Sequence, residues 1–166
     1  MMKNNIPTFA ILGHPNEGKS SVVSTLAEDD GVPISPIPGE TKKCREYPVI
    51  VDGREIIRFI DTPGFQQPRK TYEWMKQFEW PGDRIVAEFI NANGLNPDFI
   101  DECELLAPLA AGAGIIYVAD GSRPYRSTDA VEMEILRMTG LPRMAIINAK
   151  EKSRADFLDE WKAQAR

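Results

Sequence analysis

Cysteine is scarce in this sequence. Cys44 and Cys103 are the only two, and their spacing is not that of metal ligands. A reduced, cytoplasmic protein is the simplest reading of that pattern. Basic residues are also in deficit, 20 Lys and Arg against 25 Asp and Glu, for a net charge of −5. That balance argues against a general affinity for nucleic acid or anionic lipid, although it leaves room for a local basic patch. No apolar run approaches a membrane span. The apolar part of MMKNNIPTFAILG is too short for a signal peptide and is followed at once by polar residues. Internal repeats and low-complexity tracts are missing too. The one histidine, His14, falls in a loop and reads as a loop residue. What remains is a chain of 166 residues, long enough for one domain with a real core.

Apolar patterning divides the chain into alternating elements. Residues 7–12 form a short apolar run ending in glycine and read as a buried strand. Lys19 to Ala27 predicts a helix with Val22, Val23 and Leu26 facing inward. Two apolar-rich runs, 47–51 and 55–60, flank Asp52-Gly53, the strongest short hairpin signal, and are expected to pair antiparallel. Residues 115–119 and 144–147 are two more buried-strand candidates. Between them Val131, Ile135 and Met138 recur at helical spacing over 128–138. Phe157, Leu158 and Trp161 mark a last helix over 154–162. Strands alternating with helices predict an α/β fold in three layers, a mainly parallel sheet with one antiparallel hairpin strand and helices on both faces.

The chemistry concentrates in the loop after the first strand. GHPNEGKS, from Gly13 to Ser20, fits Gly-x4-Gly-Lys-Ser/Thr between a strand and a helix. Glycines let main chain wrap closely around phosphate oxygens, and successive amide N–H groups converge on them. The helix N-terminus adds its positive end. The expected cradle is Gly13, Asn16, Glu17, Gly18, Lys19, Ser20 and Ser21. In it Lys19 neutralises the outer phosphates and Ser20 offers its hydroxyl to Mg2+. Downstream, an apolar strand ends in Asp61-Thr62-Pro63-Gly64. A carboxylate there can hold Mg2+ through water, and the amide of Gly64 can meet the terminal phosphate. Between the two motifs, PGETKK supplies Thr41, whose hydroxyl can reach the same ion.

On these three motifs the sequence resembles the P-loop GTPases, and within them the bacterial Era/TrmE-like group. GHPNEGKS looks like that group's first motif, PGETKK like its PGTTRD switch I, and DTPG like its entry to switch II. The resemblance runs in order along the whole chain. It implies GTP and GDP as ligands, Mg2+ held by Ser20, Thr41 and Asp61, and a molecular switch with switch loops at 28–43 and at 62 to about 80. It also implies a catalytic set of Lys19, Thr41, Gly64 and Asn16, because in that group an asparagine at this loop position helps to coordinate K+. Phe65 stands where many relatives carry a water-orienting glutamine, so slow turnover is expected.

Base recognition departs from the pattern. The family reads guanine with Asn-Lys-x-Asp, and here the late strand ends in Asn148-Ala149-Lys150-Glu151. Asn148 matches, while Glu151 is one methylene longer than the usual aspartate. Two alternatives therefore stay open: an ATPase with relaxed base specificity, and a nucleotide-dependent scaffold that scarcely hydrolyses. A fifth, Ser-Ala-Lys-like motif is not found, and residues 1–166 read as a single GTPase domain lacking its last strand and helix. Residues 65–112 read as a helical insertion of three helices, 70–79, 83–91 and about 97–109, with Trp74, Phe78 and Trp80 in a local core. This insertion is the expected docking surface for a protein partner. Asp120 reads as a turn residue, Ser127 or Thr128 as the cap of the next helix, and Arg69, Lys70 and Lys76 as a solvated face.

Overall fold

β-branched and aliphatic side chains dominate the strand runs, and their order in space sets the architecture. In this computed structural model the described residues are 6–28, 31, 41–148 and 155–165. Glu40, Ala149, Lys150 and Glu151 lie outside them. The elements run β1 (Thr8–Leu12), α1 (Lys19–Ala27), β2 (Arg45–Val51), β3 (Arg54–Asp61), α2 (Pro68–Met75), α3 (Gly82–Asn93), α4 (Ile100–Ala110), β4 (Gly114–Asp120), α5 (Ser127–Met138), β5 (Arg143–Asn148) and α6 (Ala155–Gln164).

The five strands form one sheet in the order β2-β3-β1-β4-β5. β1 pairs parallel with both β3 and β4, β4 pairs parallel with β5, and β2/β3 is the antiparallel pair among the described residues. The hairpin turn is Asp52-Gly53, with φ of 50° and 73°. Positive φ at both central residues is the twist-matched turn that this dipeptide favours.

Alternation along each strand splits the core in two. Ile11, Phe59, Ile116 and Val118 meet Val23 of α1 on one face. Ala10, Leu12, Ile115, Tyr117 and Ala119 meet the helices from α2 onward on the other. In a parallel sheet covered on both faces, the crevice beyond the strands' carboxyl ends is where ligands sit. Register brings those ends level: Ile11 lies opposite Asp61, Leu12 opposite Tyr117, and Asp120 opposite Asn148.

Three expectations need correcting. Leu26 is 36% exposed rather than inward, because α1 turns only its Val23 side into the sheet. α2 ends at Met75, four residues early, where the chain turns through Gln77 and Phe78 with N–H groups on Trp74 and Met75 carbonyls. Neither Ser127 nor Thr128 caps α5. Arg126 is its N-cap residue, and the carboxylate of Asp129 accepts the Arg126 N–H at 2.7 Å, taking the role a hydroxyl was expected to fill. In the 65–112 segment Trp74 packs edge-on against Phe89, and Phe89 against Phe99, at centroid distances of 5.2 and 5.3 Å. Trp74 and Trp80 both lean on the main core. Arg69, Lys70 and Lys76 make exposed polar contacts, and Lys76 also lies 5.3 Å from the Tyr72 ring centroid.

Candidate nucleotide-binding site

The loop after β1 owes its shape to glycine and to contacts from other strands. Gly13 has φ 149°, and a Cβ there would overlap the Val118 carbonyl oxygen of β4. Gly18 has φ 89°, and a Cβ there would overlap the Asn148 side chain. Both positions combine a left-handed backbone with no room, which only glycine accommodates. Asn16, also at positive φ (66°), sits at the exposed rim. α1 begins directly at Lys19, so its first amides open into the loop. Lys19 is buried and donates to the carbonyls of Gly13 (3.3 Å) and His14 (2.9 Å). Burial pushes its pKa down, against the opposing pull of Asp61, Glu132 and Glu17.

Two more strand ends close on the loop. Ser20 donates to Asp61 Oδ2 at 2.8 Å. Asp61 Oδ1 is buried and has no hydrogen-bond partner among the described residues. Burial raises the Asp61 pKa, while Ser20, Lys19, Arg45 and Thr41 each act to lower it. The three oxygen donors named from sequence for a divalent ion, Ser20, Thr41 and Asp61, therefore stand together. No group of three or more His, Cys, Asp or Glu capable of holding a metal occurs among the described residues. An ion here would complete its shell from phosphate and water, as Mg2+ does. The buried, unpaired carboxylate oxygen fits that ion.

Thr62 donates to the Ile11 carbonyl at 2.6 Å, stitching the end of β3 to β1. Gly64 lies against Pro15, where a Cβ would fall 2.6 Å from the Pro15 nitrogen, and the Phe65 N–H reaches the Gly13 carbonyl at 3.3 Å. Phe65 itself is 1% exposed, part of the core. The Gln66 N–H donates to Glu102 Oε1 of α4 at 2.7 Å, and the Gln67 N–H donates to the same oxygen. Burial raises the Glu102 pKa, and those two amides pull it back. Two residues along α4, Glu104 Oε1 accepts the Cys44 N–H at 2.9 Å, and its carbonyl accepts the Cys44 thiol at 3.2 Å. Burial, reinforced by Glu104, pushes that thiol up to about 12.

Asn148 donates to the Glu17 carbonyl at 3.1 Å, so it braces the loop. Asp120 accepts from the Ser122 N–H at 2.9 Å, a turn residue as expected. Sequence reasoning missed the partners of the loop and of the chain after Gly64. His14 Nδ1 lies 2.8 Å from Glu132 Oε1, and Tyr117 donates to the other oxygen of Glu132 at 2.9 Å. Arg123 grips the buried carboxylate of Glu17. Glu102 holds the amides of Gln66 and Gln67, just past Gly64. Glu17 carried a usable signal, since an acid inside an anion-binding loop calls for a nearby cation.

A strand, a glycine-shaped amide loop, a buried lysine and a hydroxyl–carboxylate pair at the next strand's end define a P-loop nucleoside-triphosphate-binding protein. The profile of the family described as "50S ribosome-binding GTPase" matches residues 8–149. The chain belongs to that family of P-loop GTPases, in its Era/TrmE-like group.

Among curated relatives, GTPase Der of Agathobacter rectalis is 40% identical over 72 residues, 43% of this chain and 16% of Der. The tRNA modification GTPase MnmE of Flavobacterium psychrophilum is 27% identical over 162 residues, 92% of this chain and 33% of MnmE. The chain thus spans a third or less of these relatives. Among solved structures, a point variant of Aquifex aeolicus Era bound to GDP.AlF4- superposes with TM-score 0.64 at 21% identity, covering 96% of this chain and 47% of Era. Era in complex with MgGDPNP and nucleotides 1506–1542 of 16S ribosomal RNA gives 0.63 at 20%, covering 96% and 47%. NFeoB from S. thermophilus bound to GDP.AlF4- and K+ gives 0.55 at 18%, covering 95% and 48%. At these identities the likeness is one of fold.

Proposed function

We propose that this domain binds GTP with Mg2+ and hydrolyses it slowly to GDP and phosphate, its state read out through the segments around Thr41 and after Gly64. The reading is carried by the Ser20–Asp61 contact of 2.8 Å beside the buried Lys19. When bound, Mg2+ supplies charge neutralisation between the outer phosphates. The chain's own part is to position. The amides from Gly13 to Ser21 orient the phosphates, Lys19 offsets their charge, Gly64 offers an N–H to the terminal phosphate, and Thr41 and Ser20 hold oxygens toward the ion. Asn148 and Glu151 belong to base recognition, Asn148 by bracing the loop and Glu151 as acceptor for guanine.

Competition for the site tests this. With a fluorescent GTP analogue bound in excess Mg2+, unlabelled GTP is expected to displace it at concentrations at least about tenfold below those of ATP, since a paired carboxylate acceptor discriminates by hydrogen bonds that adenine cannot return. Equal displacement would favour the ATPase reading, and no displacement by either would reject the nucleotide site.

Phe65 leaves the usual water-orienting position apolar and buried. We assign charge compensation to K+ beside Asn16, a reading supported by the K+ found in the NFeoB complex. Hydrolysis is expected to run at least about tenfold faster in K+ than in Na+ at equal ionic strength, because a cation fixed at the developing charge acts in the transition state. Asn16→Ala should erase that difference. Equal rates in both salts would dismiss the ion.

A protein partner is proposed at the α2–α4 segment, where Phe78 is 43% exposed and Leu95 97%. The charge of −5 gives the domain no general pull on nucleic acid. The Era complex with ribosomal RNA is an instance of this fold meeting RNA, so that statement is confined to this domain. No helix among the described residues is long and apolar enough to cross a membrane. A cytoplasmic setting is proposed from the reduced thiols.

A further inference from the structure

Glu17 occupies an awkward place: a carboxylate inside a loop built to hold anions. It is 3% exposed, and its Oε1 accepts from Arg123 Nε at 3.0 Å and from Arg123 Nη2. The same guanidinium donates to both oxygens of the fully buried Asp129, at 2.7 and 2.8 Å. Arg126 stands 3.8 Å from Glu17 and 3.7 Å from Asp129. Two cations thus answer two buried acids, one within the phosphate loop and one in the first turn of α5. Burial works against the charge of Arg123, but the bonds to Asp129 and Glu17 outweigh it and raise its pKa.

Arg123 is itself held from α6. Trp161, 1% exposed, donates its indole N–H to the Arg123 carbonyl at 2.9 Å, and the guanidinium lies 5.2 Å from the indole centroid. Tyr125 packs edge-on against the same indole at 5.1 Å.

We propose that Arg123 is a positioning residue for the phosphate loop, holding Glu17 inward and cancelling its charge, with Trp161 holding Arg123, so that tight triphosphate binding requires α6 to be docked. This inference rests on the GTP-binding reading above. It makes the loop's competence depend on a helix that follows the base-reading segment.

The test is equilibrium binding of a fluorescent GTP analogue in Mg2+ to the chain and its variants, with melting temperature recorded for each. Arg123→Ala should weaken binding on the order of 100-fold, because a buried acid loses its counter-charge beside the phosphates. Removing the acid as well, in Glu17→Gln/Arg123→Ala, should recover at least about tenfold, a rescue that a merely structural arginine would not give. Trp161→Phe keeps an aromatic ring but removes the N–H, and should fall between wild type and Arg123→Ala. Binding by folded Arg123→Ala within about threefold of wild type, or a double variant no better than the single, would overturn the proposal. If Arg123→Ala does not fold, the double variant decides: affinity within about tenfold of wild type supports the proposal, and a loss near 100-fold overturns it. Failure of the wild type itself to bind would remove the functional reading, and this inference with it.

Discussion

Lys19→Ala is expected to lose GTP affinity by at least about 100-fold while the domain stays folded. The ammonium is buried under the loop and donates its protons to the carbonyls of Gly13 and His14. Phosphate oxygens offer stronger acceptors, and each charge-assisted bond contributes roughly 1.5–3 kcal/mol. Two such bonds are worth about 3–6 kcal/mol, where a tenfold change in affinity is about 1.4 kcal/mol. Arg123, the nearby guanidinium, is committed to Glu17 and Asp129 and is no substitute. The fold should tolerate the loss. Burial lowers the Lys19 pKa, so the buried ammonium carries a desolvation cost, and alanine removes that cost together with two hydrogen bonds. Isothermal titration with GTP and Mg2+, paired with thermal melts, measures both effects. GTP binding within about threefold of wild type would sink the assignment.

Asp61→Asn is expected to separate stability from activity. Burial raises the folded-state pKa of Asp61 above its unfolded value of 3.8. For an acid shifted upward the sign is unambiguous. Below the unfolded value the group is neutral in both states and costs nothing. As pH climbs through the raised value, the folded state must carry an unfavourable buried charge, and metal-free stability falls. Asparagine keeps an acceptor for Ser20 and never ionises. Without metal or nucleotide at pH 7, Asp61→Asn should therefore melt no lower than wild type, and the wild type should gain stability relative to the variant as pH drops toward about 4. With GTP and Mg2+ the order reverses. Loss of a carboxylate acting on the ion through water should lower apparent Mg2+ affinity and turnover by about 10–100-fold. A lower melting temperature for the metal-free variant at pH 7 would refute the account.

What the sequence disclosed was what short segments decide among themselves. Asp52-Gly53 dictates its turn, GHPNEGKS dictates its loop, and the apolar runs dictate strands to within a residue or two. The partners of Glu17, His14 and Glu102 could not be read that way. Arg123 lies 106 residues from Glu17, and Glu132 lies 118 from His14. Only the sheet order, with β4 beside β1, brings the start of α5 under the loop. The inward assignment of Leu26 failed for a related reason: helical spacing tells which residues share a face, while the sheet decides how wide a face it covers. Phe65 was legible as a departure, but not its burial, which depends on α2–α4 folding back over the sheet.

Glu102 and Glu104 leave a mechanical legacy. They stand two residues apart on one helix, one gripping the amides just past Gly64 and the other the chain just past Thr41. A shift of α4 as a rigid rod would pull on both grips together. A protein that seized α4 from outside would, on the function proposed above, reach both edges of the candidate nucleotide site with a single hand.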